Sequence, residues 1–138
     1  MKIKEYILYF SSCLFMANCD PHDGKLILIN TTSDTIYYSV AYCRDSILNY
    51  PIFENNGKID FLYSNYMNPK EEINIPVMGK WEYFINECRD SSLRIFFFNE
   101  NLIKTVGKDS IMKYQLYTKF KKLKVMDLEK LKWRVVYQ

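Results

Sequence analysis

The sequence predicts a mainly β protein: a single two-sheet β-sandwich of about seven to eight short antiparallel strands, immunoglobulin-like or related. Three observations carry this. Apolar and polar residues alternate with period two in the clearest runs, turn-forming clusters recur at intervals of roughly ten residues, and no apolar-periodic run is long enough for a crossover helix. A small open β-barrel is the alternative architecture.

Taken in order, "KLILIN" (25–30) is apolar on both faces, and "TTSD" after it is turn chemistry. "TIYYSVAYC" (35–43) alternates, with Ile36, Tyr38, Val40 and Tyr42 on one face and Tyr37, Ser39, Ala41 and Cys43 on the other. The two runs predict a β-hairpin. "RDSILNYPIFENNGK" (44–58) reads as a loop through Pro51, Asn55, Asn56 and Gly57, and "IDFLY" (59–63) as a short strand. In "EINIPV" (72–77), Pro76 lacks a ladder donor and places the strand at a sheet edge. "KWEYFINEC" (80–88) fits a strand or one helical turn.

"SLRIFFFN" (92–99) is apolar and aromatic on both faces, which predicts a central strand. "NEN" then turns the chain, and "GKDSIMK" (107–113) predicts a short turn capped by Asp109. In "YQLYTKFKKLKV" (114–125), Leu116, Thr118 and Phe120 keep one phase while Leu123 and Val125 take the other, which predicts a bulge near Lys121 and Lys122. "DLEKL" makes one helical turn with Asp127 as N-cap. "WRVVYQ" closes the fold as a strand with Trp133, Val135 and Tyr137 inward.

The first residues serve another purpose. A basic start, Met1 to Lys4, precedes an uncharged run from Tyr6 to Ala17 that ends at Asn18-Cys19. This is the layout of a signal peptide, and the run falls short of the roughly 20 apolar residues a membrane-spanning helix needs. Met16-Ala17-Asn18-Cys19 resembles a bacterial lipobox of the Bacteroidetes type, with Met16 and Asn18 standing where Leu and Gly or Ala are usual. The resemblance implies removal of residues 1–18, diacylation and palmitate on Cys19, a tether over 19–25 and one folded domain over 26–138. Cys13 is the rival acceptor; cutting there leaves an h-region of about seven residues, at the short limit. Two acyl chains anchor stably where one does not, at about 0.8 kcal/mol per buried methylene.

Loss of Lys2, Lys4 and Glu5 with the leader takes the formal charge from +3 to +2, which gives no electrostatic case for nucleic acid. Of four cysteines, Cys43 and Cys88 then remain, either bridged to each other or buried as unpaired thiols. The single histidine, His22, falls in the tether, so Ser-His-Asp and Cys-His catalysis find no base, and no metal-ligand set or cofactor site is expected. The acid pairs Glu71 with Glu72 and Glu87 with Asp90 are the only candidates for paired-carboxylate hydrolysis, and adjacent acids on a strand point to opposite faces. No catalytic residue is assigned and the chain is read as a non-enzyme.

Segments "LINTTSDTIYYSVAY", "SLRIFFFN" and "DLEKLKWRVVYQ" are similar to a group of small Bacteroidetes-type lipoproteins without an assigned activity. The similarity implies an envelope address, lipid-anchored to the outer membrane on its periplasmic or surface face. Asp34-Thr35-Ile36, Asp45-Ser46-Ile47 and Asp109-Ser110-Ile111 match the pattern O-glycosylated in such bacteria, making Thr35, Ser46 and Ser110 candidate acceptors; turn initiation by each Asp is the competing reading. Asn30-Thr31-Thr32 fits the N-glycan sequon, which bacteria of this kind are not expected to use.

Twelve Tyr and two Trp invite a carbohydrate-binding reading, because ring faces stack on sugars. Tyr50, Tyr63, Tyr66, Trp81 and Tyr83 lie outside the inward register and are the candidate ligand-binding aromatics. The basic stretch "KFKKLK", with Lys130, Lys132 and Arg134, reads as a solvated outer face, with acidic headgroups or a partner protein as alternatives. Two functions therefore stand side by side: a tethered structural or interaction protein, and a tethered module for glycan or another ligand.

Overall fold

A computed structural model describes residues 22–41 and 65–138, without the side chains of Lys108 and Met112. Among the described residues, seven strands form two sheets. A three-stranded sheet has the order β4-β1-β7, with β1 His22–Asn30, β4 Glu72–Met78 and β7 Arg134–Tyr137. A four-stranded sheet has the order β3-β2-β5-β6, with β2 Ile36–Ala41, β3 Tyr66–Met67, β5 Leu93–Asn99 and β6 Lys119–Leu123. The sandwich expected from the sequence is the fold observed, and the sheets do not close into a barrel. The predicted loop at 44–58 and strand at 59–63 lie outside the described residues.

Between the sheets sits one core. Leu26 and Leu28 of β1, Ile36 of β2, Ile95 and Phe97 of β5 and Val135 of β7 are at most 1% exposed. Side chains apolar on both faces put β1 and β5 in the middle of their sheets, as anticipated for β5. Pro76 puts β4 at an edge, also as anticipated. Opposite it, β1 spends an extra residue between Asp23, paired with Val77, and Leu26, paired with Ile75. The extra residue is a bulge that bends the ladder beside Pro76, whose missing donor faces the open edge.

The predicted hairpin does not form: β1 and β2 belong to different sheets. The reason is Asn30, fully buried at the end of β1. Its Nδ2 donates to the carbonyls of Asp34 at 2.7 Å and Asn68 at 2.9 Å, and its Oδ1 accepts from Thr32 N and Oγ1. These bonds shape residues 31–35 into a crossing from one sheet to the other. One pairing is parallel rather than antiparallel, β1 with β7 from Ile27–Arg134 to Asn30–Tyr137, which a long intervening chain allows and a tight turn does not. Residues 22–25, expected in the tether, already belong to β1.

The described residues also form four short helices: α1 Trp81–Asn86, α2 Glu100–Val106, α3 Lys108–Tyr114 and α4 Val125–Lys130. Helix α1 resolves the open choice at 80–88, since Trp81 and Ile85, one turn apart, both reach the core. "NEN" is not a simple turn. Asn99 caps α2 by accepting from Leu102 N at 2.8 Å, and Asp109 lies inside the first turn of α3. Asp127 is likewise the third residue of α4, its carboxylate accepting from Lys124 N at 3.0 Å. Helices α2 and α3 cover the outer face of the four-stranded sheet, where Leu102, Ile103, Val106 and Ile111 pack on Phe96 and Phe98.

That outer layer explains the phase change in β6. Its ladder with β5 runs unbroken from Leu93–Leu123 to Phe97–Lys119, so the predicted bulge is absent. Phe120 faces the outer layer beside Phe96, and Leu123 faces the core. Both phases are apolar because both faces are partly covered. His22, Met78 and Leu123 mark one end of the sandwich, called lower here; Asn30, Ile36 and Asn99 mark the upper end. Helices α1 and α4 close the lower end with Trp81, Ile85 and Leu128.

Candidate functional site

The structure scatters the predicted ligand-binding aromatics. Trp81 is 0% exposed, and its Nε1 donates to the Ile75 carbonyl at 3.2 Å, so it is a core residue and not a stacking platform. Tyr66 stands exposed on β3, its ring 6.3 Å from that of Tyr37. Tyr83 is exposed on α1 at the lower end, where a hydrogen bond to Glu87 pushes its phenol pKa up. Tyr50 and Tyr63 lie outside the described residues. The sequence leaves 80–88 open between a strand and one helical turn; as a helix, it puts positions 81 and 85 on one face, and that face is turned to the core.

A different group of rings does assemble. Phe96, 2% exposed on β5, is the floor on which Tyr117 and Phe120 rest, with ring centroids at 5.6 and 4.8 Å. Tyr117 and Phe120 are themselves 5.8 Å apart and inclined at 48°, and both are open to solvent on their outer sides. Next to them on the same face, Lys122 and Arg94 are paired across β6 and β5. Asp90 joins the two, at 2.8 Å from Lys122 Nζ and 2.5 Å from Arg94 Nη2. The Lys122 hydrogen bond, with that of Arg94, holds the Asp90 carboxyl below its usual range despite some desolvation. Aromatic faces beside a charged hydrogen-bonding triad make a surface able to stack on a ring and bond its substituents. The sequence signal for it was Phe120, an aromatic out of phase with Leu123 on a lysine-rich strand.

A second polar cluster fastens the start of the domain. Asp23 accepts from Trp81 N at 3.1 Å and Lys25 N at 3.2 Å. Lys25 Nζ bonds Glu82, sits 3.1 Å from Asp23 and lies 4.1 Å above the Trp133 ring. Partial burial alone would raise the Asp23 carboxyl, but the two backbone donors and the Lys25 ammonium hold it below its ordinary value. Glu82 is lowered for the same reason, with Lys25 as its donor. The cluster is a clasp between β1 and α1.

The acid pairs are similarly engaged. Glu71 accepts from Asn68 N at 2.5 Å, Glu72 bonds Arg134 at 2.6 Å, Asp90 is held in its triad and Glu87 takes the Tyr83 hydroxyl. Among the described residues no three His, Cys, Asp or Glu side chains gather as a metal site, and no helix is long and apolar enough to cross a membrane. His22 opens β1 and is exposed.

Cys88 is buried and disulfide-bonded. Cys43, the partner the sequence offers as one of two alternatives, lies outside the described residues, as do Cys19 and Ser46. Thr35 is half-buried between the 31–34 turn and β2, and Ser110 half-buried in α3. Asn30 of the sequon is sealed in the fold with its amide hydrogen-bonded. Compared with protein-family models, with curated proteins and with solved structures, the chain matches none.

Proposed function

We propose that this chain is a bacterial envelope lipoprotein, held at the outer membrane by acyl chains on Cys19 and acting through its folded body in a structural or interaction role. The observation that carries the reading is the charged start and apolar run ending at Met16-Ala17-Asn18-Cys19. What supports a non-enzymatic role is that Glu71, Glu72, Glu87 and Asp90 each have a structural partner. The test is mass analysis of the native product with a palmitate-labelled culture: a lipid-bearing residue 19 is expected, and an intact Met1 or an unlabelled product overturns the reading. Cys19→Ser should move the protein from the membrane to the soluble fraction.

A second reading follows from Tyr117 and Phe120: a tethered module that binds carbohydrate at the aromatic edge of the four-stranded sheet. Screening the protein against an oligosaccharide array tests it, with Tyr117→Ala/Phe120→Ala as control. Retention of any bound glycan by that double variant would remove this site from consideration.

A further inference from the structure

Strand β1 begins at His22, three residues after Cys19. Even fully extended, those residues span at most about 11 Å, whereas the nine residues of β1 alone rise roughly 30 Å. The leash is therefore shorter than the body it holds, and the end of the sandwich nearest His22 must stay close to the headgroups. That end carries an unusual share of exposed apolar side chains. Met78 (69%), Met126 (66%) and Tyr83 (63%) are three of the four most exposed large hydrophobics among the described residues. Met78 pairs with His22, Tyr83 projects from α1, and Met126 from α4, which packs beside α1. Lys80 stands exposed among them.

From this juxtaposition we propose that the lower end of the sandwich, formed by Met78, Lys80, Tyr83 and Met126, rests on the lipid surface and fixes the orientation of the domain. The proposal rests on the lipid at Cys19. The chemistry fits: a Tyr ring and thioether chains partition into the interfacial zone, and a Lys head reaches lipid phosphates while its stem stays among the apolar groups. The clasp of Asp23 and Lys25 on α1 makes the contact rigid, because the first residues of β1 cannot swing away from the surface they present.

The experiment reconstitutes the full lipidated protein in phosphatidylethanolamine/phosphatidylglycerol vesicles containing lipids brominated near the headgroup end of the chain. Tyr83→Trp and Met126→Trp are the lower-end reporters and Tyr66→Trp the distant one, each read as emission above the unsubstituted protein. Both lower-end reporters should lose about half of their added emission, as indole settles at the interface, while the Tyr66→Trp signal is unchanged. In unsubstituted protein, a water-soluble acylating reagent should label Lys80 several-fold less in vesicles than in detergent-free buffer, with Lys104 unaffected. Equal quenching at all three positions, or quenching at Tyr66→Trp alone, overturns the orientation while leaving the anchor intact. Failure of the protein to float with vesicles overturns the Cys19 reading, and the orientation falls with it.

Discussion

Replacing Trp81 separates two accounts of this protein. As an exposed sugar platform, its loss would abolish binding and change stability by no more than about 0.5 kcal/mol, the usual scale for surface substitutions. The structure gives the opposite expectation. Trp81 is wholly buried, lies against the cluster that closes the lower end, and satisfies the Ile75 carbonyl. Truncating a buried Trp to Ala costs about 3–5 kcal/mol through lost transfer energy and the cavity left behind. Loss of the indole hydrogen bond to the Ile75 carbonyl adds up to about 1 kcal/mol. With a urea dependence of about 1–3 kcal/mol per molar, Trp81→Ala should lower the unfolding midpoint by roughly 2 M. Trp81→Phe, which keeps the ring and loses the donor, should lie between. The assay is urea denaturation under non-reducing conditions, followed by far-UV circular dichroism. A Trp81→Ala midpoint equal to that of the unsubstituted protein would refute the core assignment and return Trp81 to the surface.

Asn30→Ala should cost about 2–4 kcal/mol, because several buried donors and acceptors lose one shared partner; thermal unfolding measures it. Asp23 is held below its ordinary carboxyl value, so its contribution is present above about pH 4 and disappears as pH falls through the folded value. Asp23→Asn should accordingly flatten the acid limb of the stability-pH curve, and a parallel, merely lowered curve would count against the clasp. Lys132 is exposed and left-handed at φ 52°; Lys132→Gly should stabilise by about 0.5–1 kcal/mol in the same thermal assay, since glycine takes that conformation freely. Ser39 is buried with an unpartnered Oγ, and Ser39→Ala should leave the urea midpoint unchanged or raise it.

How much of this was legible depended on whether one residue or a set carried the signal. Sandwich class, the central place of β5, the edge place of β4 and the inward face of β7 came from runs of alternating side chains, which average over many contacts. Isolated features misled. "TTSD" looks like a hairpin turn, yet the partner of β1 is decided by Asn30 and by strands 72–78 and 134–137 far along the chain. The phase change at Phe120 looked like a bulge because a two-layer protein was assumed; a helical third layer makes both faces of the sheet apolar. The Tyr117–Phe120 pair was missed for the same reason, since an aromatic on a covered face offers no sign that its rim is bare.

The sheet edges narrow what kind of partner the body can meet. Edge β4 carries Pro76 opposite a bulge, so a strand laid beside it would find a missing donor and a bent ladder. Edge β6 directs Lys121 inward opposite Ile95, where desolvation, with the nearby Lys119 charge, holds its ammonium pKa below the ordinary value; a sheet extended past it would bury that charge further. Edge β3 is two residues long. Among the described strands, addition is thus opposed along β3, β4 and β6, while β7, four residues long, is the remaining edge. Recognition is left chiefly to side chains on faces and ends. In the orientation proposed the lower end meets the lipid surface, and Tyr117 and Phe120 then stand on the flank, in water, as a surface open to a partner. Glutamate at Lys121 tests the edge argument: Lys121→Glu keeps an inward charge and should leave the protein monodisperse, whereas Lys121→Val should increase self-association in light scattering. Equal scattering from both variants would mean that the inward lysine plays no protective part.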